Sequence, residues 1–280
     1  MSYFKKLLLV LLLIFSFAFN SFSVLGYDEA SNIYTVLDNE NSNSLPNLFR
    51  KDASLNISGS AQFTAAQVEN IINNIDSNKL YIVDLRQESH GLLNENIAFM
   101  FWNPNVDLND GLSSSEVLRV ESKEISKIPI SSVMHIYNKK LDLLKTVKVQ
   151  SVLSEKNLVT SKNINYIRFA VKDNYIPSDD IVDEFVDFVK SEGTSSHLHF
   201  HCEAGEGRTT TFMAMYQMMN NKDNLSLDEI LQYQIKLGGI SLIDIPIRKD
   251  FLNTFYNYTK ANIDSNFEVP YSKWVERKVI

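Results

Sequence analysis

Cysteine is almost absent: Cys202 is the only one in 280 residues, so no disulfide can form within the chain. A lone thiol is either kept for chemistry or is a small buried hydrophobe, and the count by itself favours the second. Positive charge is scarce as well. Lys and Arg number 27 against 34 Asp and Glu, a net charge of −7, which excludes capture of nucleic acid or an anionic membrane through the overall field. A polyanionic ligand would have to meet a local concentration of cations. There is also no internal repeat or long low-complexity segment, and a single cysteine argues against a zinc site, so no metal and no cofactor is expected.

The apolar run from Leu7 to Phe19 is short for crossing ~30 Å of hydrocarbon. It follows Lys5 and Lys6 and precedes small residues at Ser23 to Gly26, the order of a secretory signal peptide spanning residues 1–26. Its removal would take those two lysines and no acid, moving the net charge from −7 to −9. A secreted or periplasmic protein is expected, with no stable membrane association after cleavage. The oligomeric state is open.

Residues 27–280, with a hydrophobic content of 44% over the full chain, suffice for one α/β-sized domain. Tyr27 to Ser60 is rich in Asn, Ser and Asp and reads as an extended lead-in. Phe63–Ile75 has helical spacing with Thr64 as cap, and LYIVDL from Leu80 to Leu85 suits a buried strand. Ser115 to Ile128 looks helical, while VMHIY, KTVKVQSVL and INYIRFAV carry strand residues, which suggests a small β insert somewhere within 103–162. SDDIVDEFVDFVKSEG predicts a helix capped by Ser178 and ending at Gly193. HLHFH predicts a strand, and further helices follow from near Arg208 and in LSLDEILQYQIKL. Helix, strand, glycine loop, helix is an α/β order.

The loop is HCEAGEGRTTTF, residues 201–212. Leaving a strand and opening a helix, it points several backbone amides and the positive end of the helix dipole at one spot. Gly205 and Gly207 allow the tight curl, and Arg208 can close the site with a planar fork matched to phosphate. Helix N-termini and cations favour ionised cysteine, so Cys202 below a bound phosphoryl group is placed as a nucleophile.

His201, Cys202, Gly205, Gly207, Arg208 and Thr209 match the H-C-x-x-G-x-G-R-[ST] loop, and the chain thereby resembles the protein tyrosine phosphatase superfamily. Together with VDLRQESHG at Val83 to Gly91, the loop resembles more narrowly the tyrosine phosphatase-like cysteine phytases. That likeness runs from LPNLFRKD to the YSKW region and is weakest between Asn103 and Lys162. It implies a central mixed sheet flanked by helices, and metal-free hydrolysis of inositol polyphosphates through a cysteinyl-phosphate. It implies Asp173 in KDNYIP, 29 positions before Cys202, as general acid, although the residues alone equally describe a turn before a capped helix. It further implies that His201 orients the loop and that Thr209 donates to the cysteine sulfur.

Substrate contacts are expected from the loop residues Glu203, Ala204, Gly205, Glu206 and Gly207, with amides facing the anion and acidic side chains turned away. Arg50 in LPNLFR matches a substrate-contacting arginine of the family, and Arg248, Lys249, Lys172 and Arg86 are further candidate cations. Each alone is more often a solvated surface charge. Two departures reduce the positive charge: Glu206 where relatives often carry a neutral residue, and Asn174 where the phytases carry histidine. Asp84, Arg86 and Glu88 read as an ion-pair network in the pocket wall, and His90, His197 and His199 as structural. Gln234 resembles a glutamine that helps to place water, and the methionines at 213, 215, 218 and 219 read as packing. Phosphotyrosine protein stands as the second substrate class, and a non-catalytic inositol phosphate binder as the alternative of another kind. Intact Cys202, Arg208 and Asp173 argue against the latter.

Overall fold

HLHFH forms a strand, His197–His201, because its alternation serves two different faces. Leu198 and Phe200 enter an apolar core, where Phe200 stacks edge-on against Phe185 at 6.3 Å. The histidines point the other way, toward Ser58, Ser60 and Glu155. The computed structural model describes residues 24–25, 27–28, 32–41, 44–75, 77–193 and 195–277. Apart from residues 24–25, the signal-peptide reading of 1–26 lies outside them.

That strand is the centre of a five-stranded sheet in the order Asn165–Val171, Leu80–Arg86, His197–His201, Ile57–Ser60, Arg50–Asp52. The first four run parallel and the last is antiparallel to its neighbour. Parallel strands covered on both faces must be apolar nearly throughout, which is why LYIVDL is legible as a buried strand. Three charges nevertheless lie buried within such strands, Asp84, Arg86 and Arg168, and the site below accounts for all three.

Helices cover one face. Gly207–Met219 is buried almost all round, with Met213, Met215, Met218 and Met219 in the core. Asp179–Phe188 packs Val182 and Phe185 inward, and its cap is Ser178, whose Oγ accepts from the Ile181 amide. Beyond it, Val189–Gly193 closes the segment as a π turn. Thr64 forms a capping box with Gln67, and a 3-10 turn at Ala65–Gln67 leads into helix Val68–Asn74. Leu227–Lys236 and Pro246–Asn262 complete the helical layer beside the loop helix.

The second sheet is larger than an insert in 103–162. It has eight strands, of which only Val133–Tyr137, Leu143–Lys148 and Val152–Leu153 come from that range. The others include Ile33–Glu40, His90–Leu93 and Ile97–Trp102. Ile33–Glu40 lies between Ile97–Trp102 and Val133–Tyr137, inside the stretch read as an extended or loop-like lead-in with no sheet strand assigned to it. The correction has a plain cause: IYTVL is a β-branched and aromatic run with Val36 fully buried, but polar residues flank it on both sides and dilute its signal. Helix Ser114–Ser126 packs Ile125 against Phe99 and Met134 in this sheet's own core. No helix among the described residues is long and apolar enough to cross a membrane.

Candidate active site

The chain must turn between His201 and Gly207 at the carboxyl end of a parallel strand, the end at which α/β sheets bind ligands. The neighbouring segment after Ile57–Ser60 moulds that turn. Gly205 has φ +75°, and a Cβ there would lie 2.4 Å from Ala61 N and 2.6 Å from the Ser60 carbonyl carbon, so only glycine fits. Two loop carbonyls are engaged by the scaffold: Glu203 O accepts from the Gln62 amide at 2.9 Å, and Gly205 O accepts from Arg50 Nη1 at 2.9 Å. Among the described residues, no amide of 203–206 is given to a backbone acceptor. With a helix N-terminus behind them, those amides make a cradle for an anion.

Cys202 lies at its foot, 3% exposed, and Thr209 Oγ1 donates to its sulfur at 3.2 Å. Arg208 is gripped by Glu88 in a bidentate fork, Nη1 to Oε2 at 2.7 Å and Nη2 to Oε1 at 2.8 Å, and Nη1 also reaches Val171 O at 3.0 Å. Its Nε is a buried donor with no protein partner. Burial opposes the Arg208 charge, yet the Glu88 carboxylate outweighs burial and keeps the guanidinium more firmly protonated than a free arginine. Burial would likewise raise Glu88, but Arg208 and Arg86 together hold it well below the usual carboxylate range. Asp173 stands above, half exposed, with Oδ1 3.2 Å from Arg208 Nη2. Asn174, at φ 63°, donates to its other oxygen at 3.1 Å.

The other expected contacts separate into three groups. Arg50 is buried under the loop, where its donors serve Leu48 O, Gly205 O and Thr210 Oγ1, and burial pulls its pKa down to about 10 against the pull of Cys202. Arg248 lies against the loop from the C-terminal helix, 3.0 Å from where a Gly207 Cβ would be. Lys172 pairs with Asp107 at 2.6 Å and Asp110 at 3.5 Å, and Lys249 is exposed. Ala204 and Glu206 are exposed, whereas Glu203 is bound by Lys139 at 2.7 Å, a contact sequence reasoning missed. Gln234 is buried against Gln217 at 2.8 Å.

Sequence reasoning also missed the depth of the charge network behind the loop. His201 Nε2 pairs with Glu155 at 2.7 Å, and Glu155 also accepts from Gln62 Nε2 at 2.7 Å. Asp84 is bound by Arg168 at 2.7 Å and Tyr166 at 2.6 Å, while Arg168 extends to Glu121 at 3.0 Å and His90 at 2.8 Å. Asp84, His90 and Glu155 present ligand-type atoms within 4.8 Å of one another, and the Arg168 guanidinium already supplies positive charge there. Arg86, expected beside Asp84 and Glu88, pairs with Glu88 at 3.1 Å and with Asp38 at 2.8 Å. A charge inside an otherwise apolar strand, as in LYIVDLR and YIRFAV, was the available signal, because such a charge must find a partner.

On the same strand, burial pulls His197 down to about 4, and burial with the neighbouring histidines pulls His199 well below its usual value. Both are neutral when folded and titrate near 6.5 when unfolded, so the stability they carry is full above pH 6.5 and lost as pH falls toward 4. Glu88 acts only lower, below about 4.5, where unfolded glutamate begins to protonate. The melting temperature should therefore fall between pH 6.5 and 4.5, and less steeply in His197→Gln. Parallel melting curves for the two proteins would remove His197 as the cause.

A cleft of about 230 Å³ opens beside the loop, lined by Glu88, Trp102, Val106, Asp107, Lys139, Lys172, Asp173 and Glu203 among others. A family model named PTPlike_phytase, described by the words inositol hexakisphosphate, matches residues 83–220. The PTP-like phytase from Bdellovibrio bacteriovorus superposes with a TM-score of 0.75 at 31% identity, covering 87% of this chain and 94% of that one. The PTP-like myo-inositol phosphatase from Mitsuokella multacida, solved with myo-inositol-(1,3,4,5)-tetrakisphosphate, gives a TM-score of 0.77 at 29% identity, over 90% of this chain and 49% of that one. Effector protein hopD2 of Pseudomonas syringae pv. tomato is 30% identical over 227 residues, 74% of this chain and 48% of that protein. The chain thus spans about half the length of the Mitsuokella and Pseudomonas proteins.

Proposed function

This chain belongs to the PTP-like phytase family, and we propose that it hydrolyses phosphate monoesters of inositol phosphates through a cysteinyl-phosphate on Cys202. One observation carries the reading: a buried cysteine at the foot of an amide cradle, with Arg208 held in a fork by Glu88 and Asp173 Oδ1 3.2 Å from that arginine. A relative solved with an inositol tetrakisphosphate supports the substrate class.

In the first step the Cys202 sulfur attacks phosphorus, the bond from phosphorus to the inositol oxygen breaks, and Asp173 gives its proton to that oxygen. The loop amides and the free Nε of Arg208 hold the equatorial oxygens, where negative charge concentrates. Glu88 fixes the fork so that no reorganisation is needed at the moment of transfer. In the second step Asp173 takes a proton from water, the water oxygen attacks phosphorus and the sulfur leaves. The Thr209 hydroxyl, at 3.2 Å from that sulfur, stabilises the departing thiolate. The basic-then-apolar opening at Lys5 to Phe19 supports export of the enzyme.

The deciding assay is phosphate release from inositol polyphosphates and from phosphotyrosyl peptides side by side, with Cys202→Ser as blank. Preference for the peptides, or silence on both, would overturn the reading. Asp173→Asn should slow release from an inositol phosphate by about 10² to 10³-fold and from p-nitrophenyl phosphate far less, because the activated ester's leaving group needs no proton. Equal loss on both esters would count against the acid role.

A further inference from the structure

We infer that this site selects inositol phosphates carrying three phosphates or fewer and disfavours the hexakisphosphate; the inference rests on the inositol phosphatase reading above. Dense phosphates need unpaired cations around the reacting one, since each monoester carries about −1.5 to −2 charges at neutral pH. The cleft does not offer them. Its two lysines face four carboxylates, Glu88, Asp107, Asp173 and Glu203. Both lysines are engaged, Lys139 with Glu203 at 2.7 Å and Lys172 with Asp107 at 2.6 Å and Asp110 at 3.5 Å. A second phosphate that drew either lysine away would leave those carboxylates unpaired beside it.

The remaining cations lie close to the loop itself. Arg208 is committed to Glu88, and Arg50 spends its Nη donors on the scaffold beneath. Arg248, beside Gly207, has no ion pair among the described residues and is placed for one phosphate next to the reacting one. Glu206 is exposed on the loop, and Asn174 brings no charge. Trp102, Val106 and Met100 give the cleft an apolar wall, which suits the ring's C–H face and hydroxyls better than further dianions. One phosphate in the loop, one at Arg248 and few others is the charge pattern this surface accepts.

The test is kcat/KM for myo-inositol hexakis-, tetrakis-, tris- and bisphosphates at fixed ionic strength, with p-nitrophenyl phosphate as a reference that carries a single phosphate. A rise of about tenfold from hexakis- to trisphosphate is expected, because like-charge juxtaposition is what the cleft uses to discriminate. Added salt should narrow the gap by screening the repulsion. The double variant Asp107→Asn/Asp110→Asn should narrow it about fivefold by freeing Lys172, raising the hexakisphosphate value more than the trisphosphate value. A hexakisphosphate optimum, or a gap that neither salt nor the double variant moves, would overturn the inference while leaving the inositol phosphatase reading intact. Turnover of p-nitrophenyl phosphate with none of any inositol phosphate would overturn that reading itself.

Discussion

Cys202→Ser is expected to lower phosphate release by 10⁴-fold or more, on the order of what removal of a nucleophile costs elsewhere, while leaving the melting temperature and phosphate binding unchanged. The separation of the two effects follows from geometry. The anion cradle consists of backbone amides shaped by Gly205 against Ser60 and Ala61 and by Arg208 on Glu88, and none of these contacts involves the sulfur. The substitution removes one buried atom of slightly larger radius, and Thr209 can keep donating to the oxygen that replaces it. A serine hydroxyl, however, is a far weaker nucleophile than a thiolate, and no histidine contacts Cys202 to act as its base. Residual turnover above 1% of wild type would show that phosphorus is attacked by something other than residue 202.

Arg168→Met should cost about 3 to 5 kcal/mol, the range for removing one partner from a buried ion pair. Arg168 is buried and pairs with both Asp84 and Glu121, so its loss leaves two buried carboxylates with His90 as their remaining shared ion-pair partner. Burial works against its charge, but Asp84 and Glu121 more than restore it, which places the arginine's proton beyond any accessible pH. Methionine matches the volume closely, so the loss measured by urea midpoint reports charge and not a cavity. Lys127→Met, which breaks the exposed pair with Glu124, is the control and should stay within about 0.5 kcal/mol. Similar losses for the two variants would mean that the network's carboxylates are solvated or repartnered when Arg168 goes.

What the sequence made legible is what is local along the chain. The spacing of Cys202, Gly205, Gly207 and Arg208, the strand before them and the helix after them all act within one turn of backbone, and the structure assembles them as one unit. The helix capped by Ser178 and the helix in LSLDEILQYQIKL were likewise readable from a few residues. The network behind the loop was not, because Asp84, His90, Glu121, Glu155, Arg168 and His201 come from six separate elements and meet only through the fold. The same holds for Lys139, a hairpin residue 64 positions from the Glu203 it binds. Ile33–Glu40 was hidden for a different reason: Asn, Ser and Asp around it outweigh its short alternation, and its strand character is supplied by two partners distant in sequence.

Asp38, Arg86, Glu88 and Arg208 form an alternating line of charge, each within 3.1 Å of the next, that runs from a strand of the second sheet to the phosphate loop. The two sheets are therefore joined by a line of ion pairs that ends on Arg208 of the loop. An excursion that peeled Ile33–Glu40 from its neighbours would withdraw the Asp38 counter-charge from Arg86, which shares Glu88 with the Arg208 fork. Order in the phosphate loop is in this sense tied to Ile33–Glu40, a strand of the other sheet.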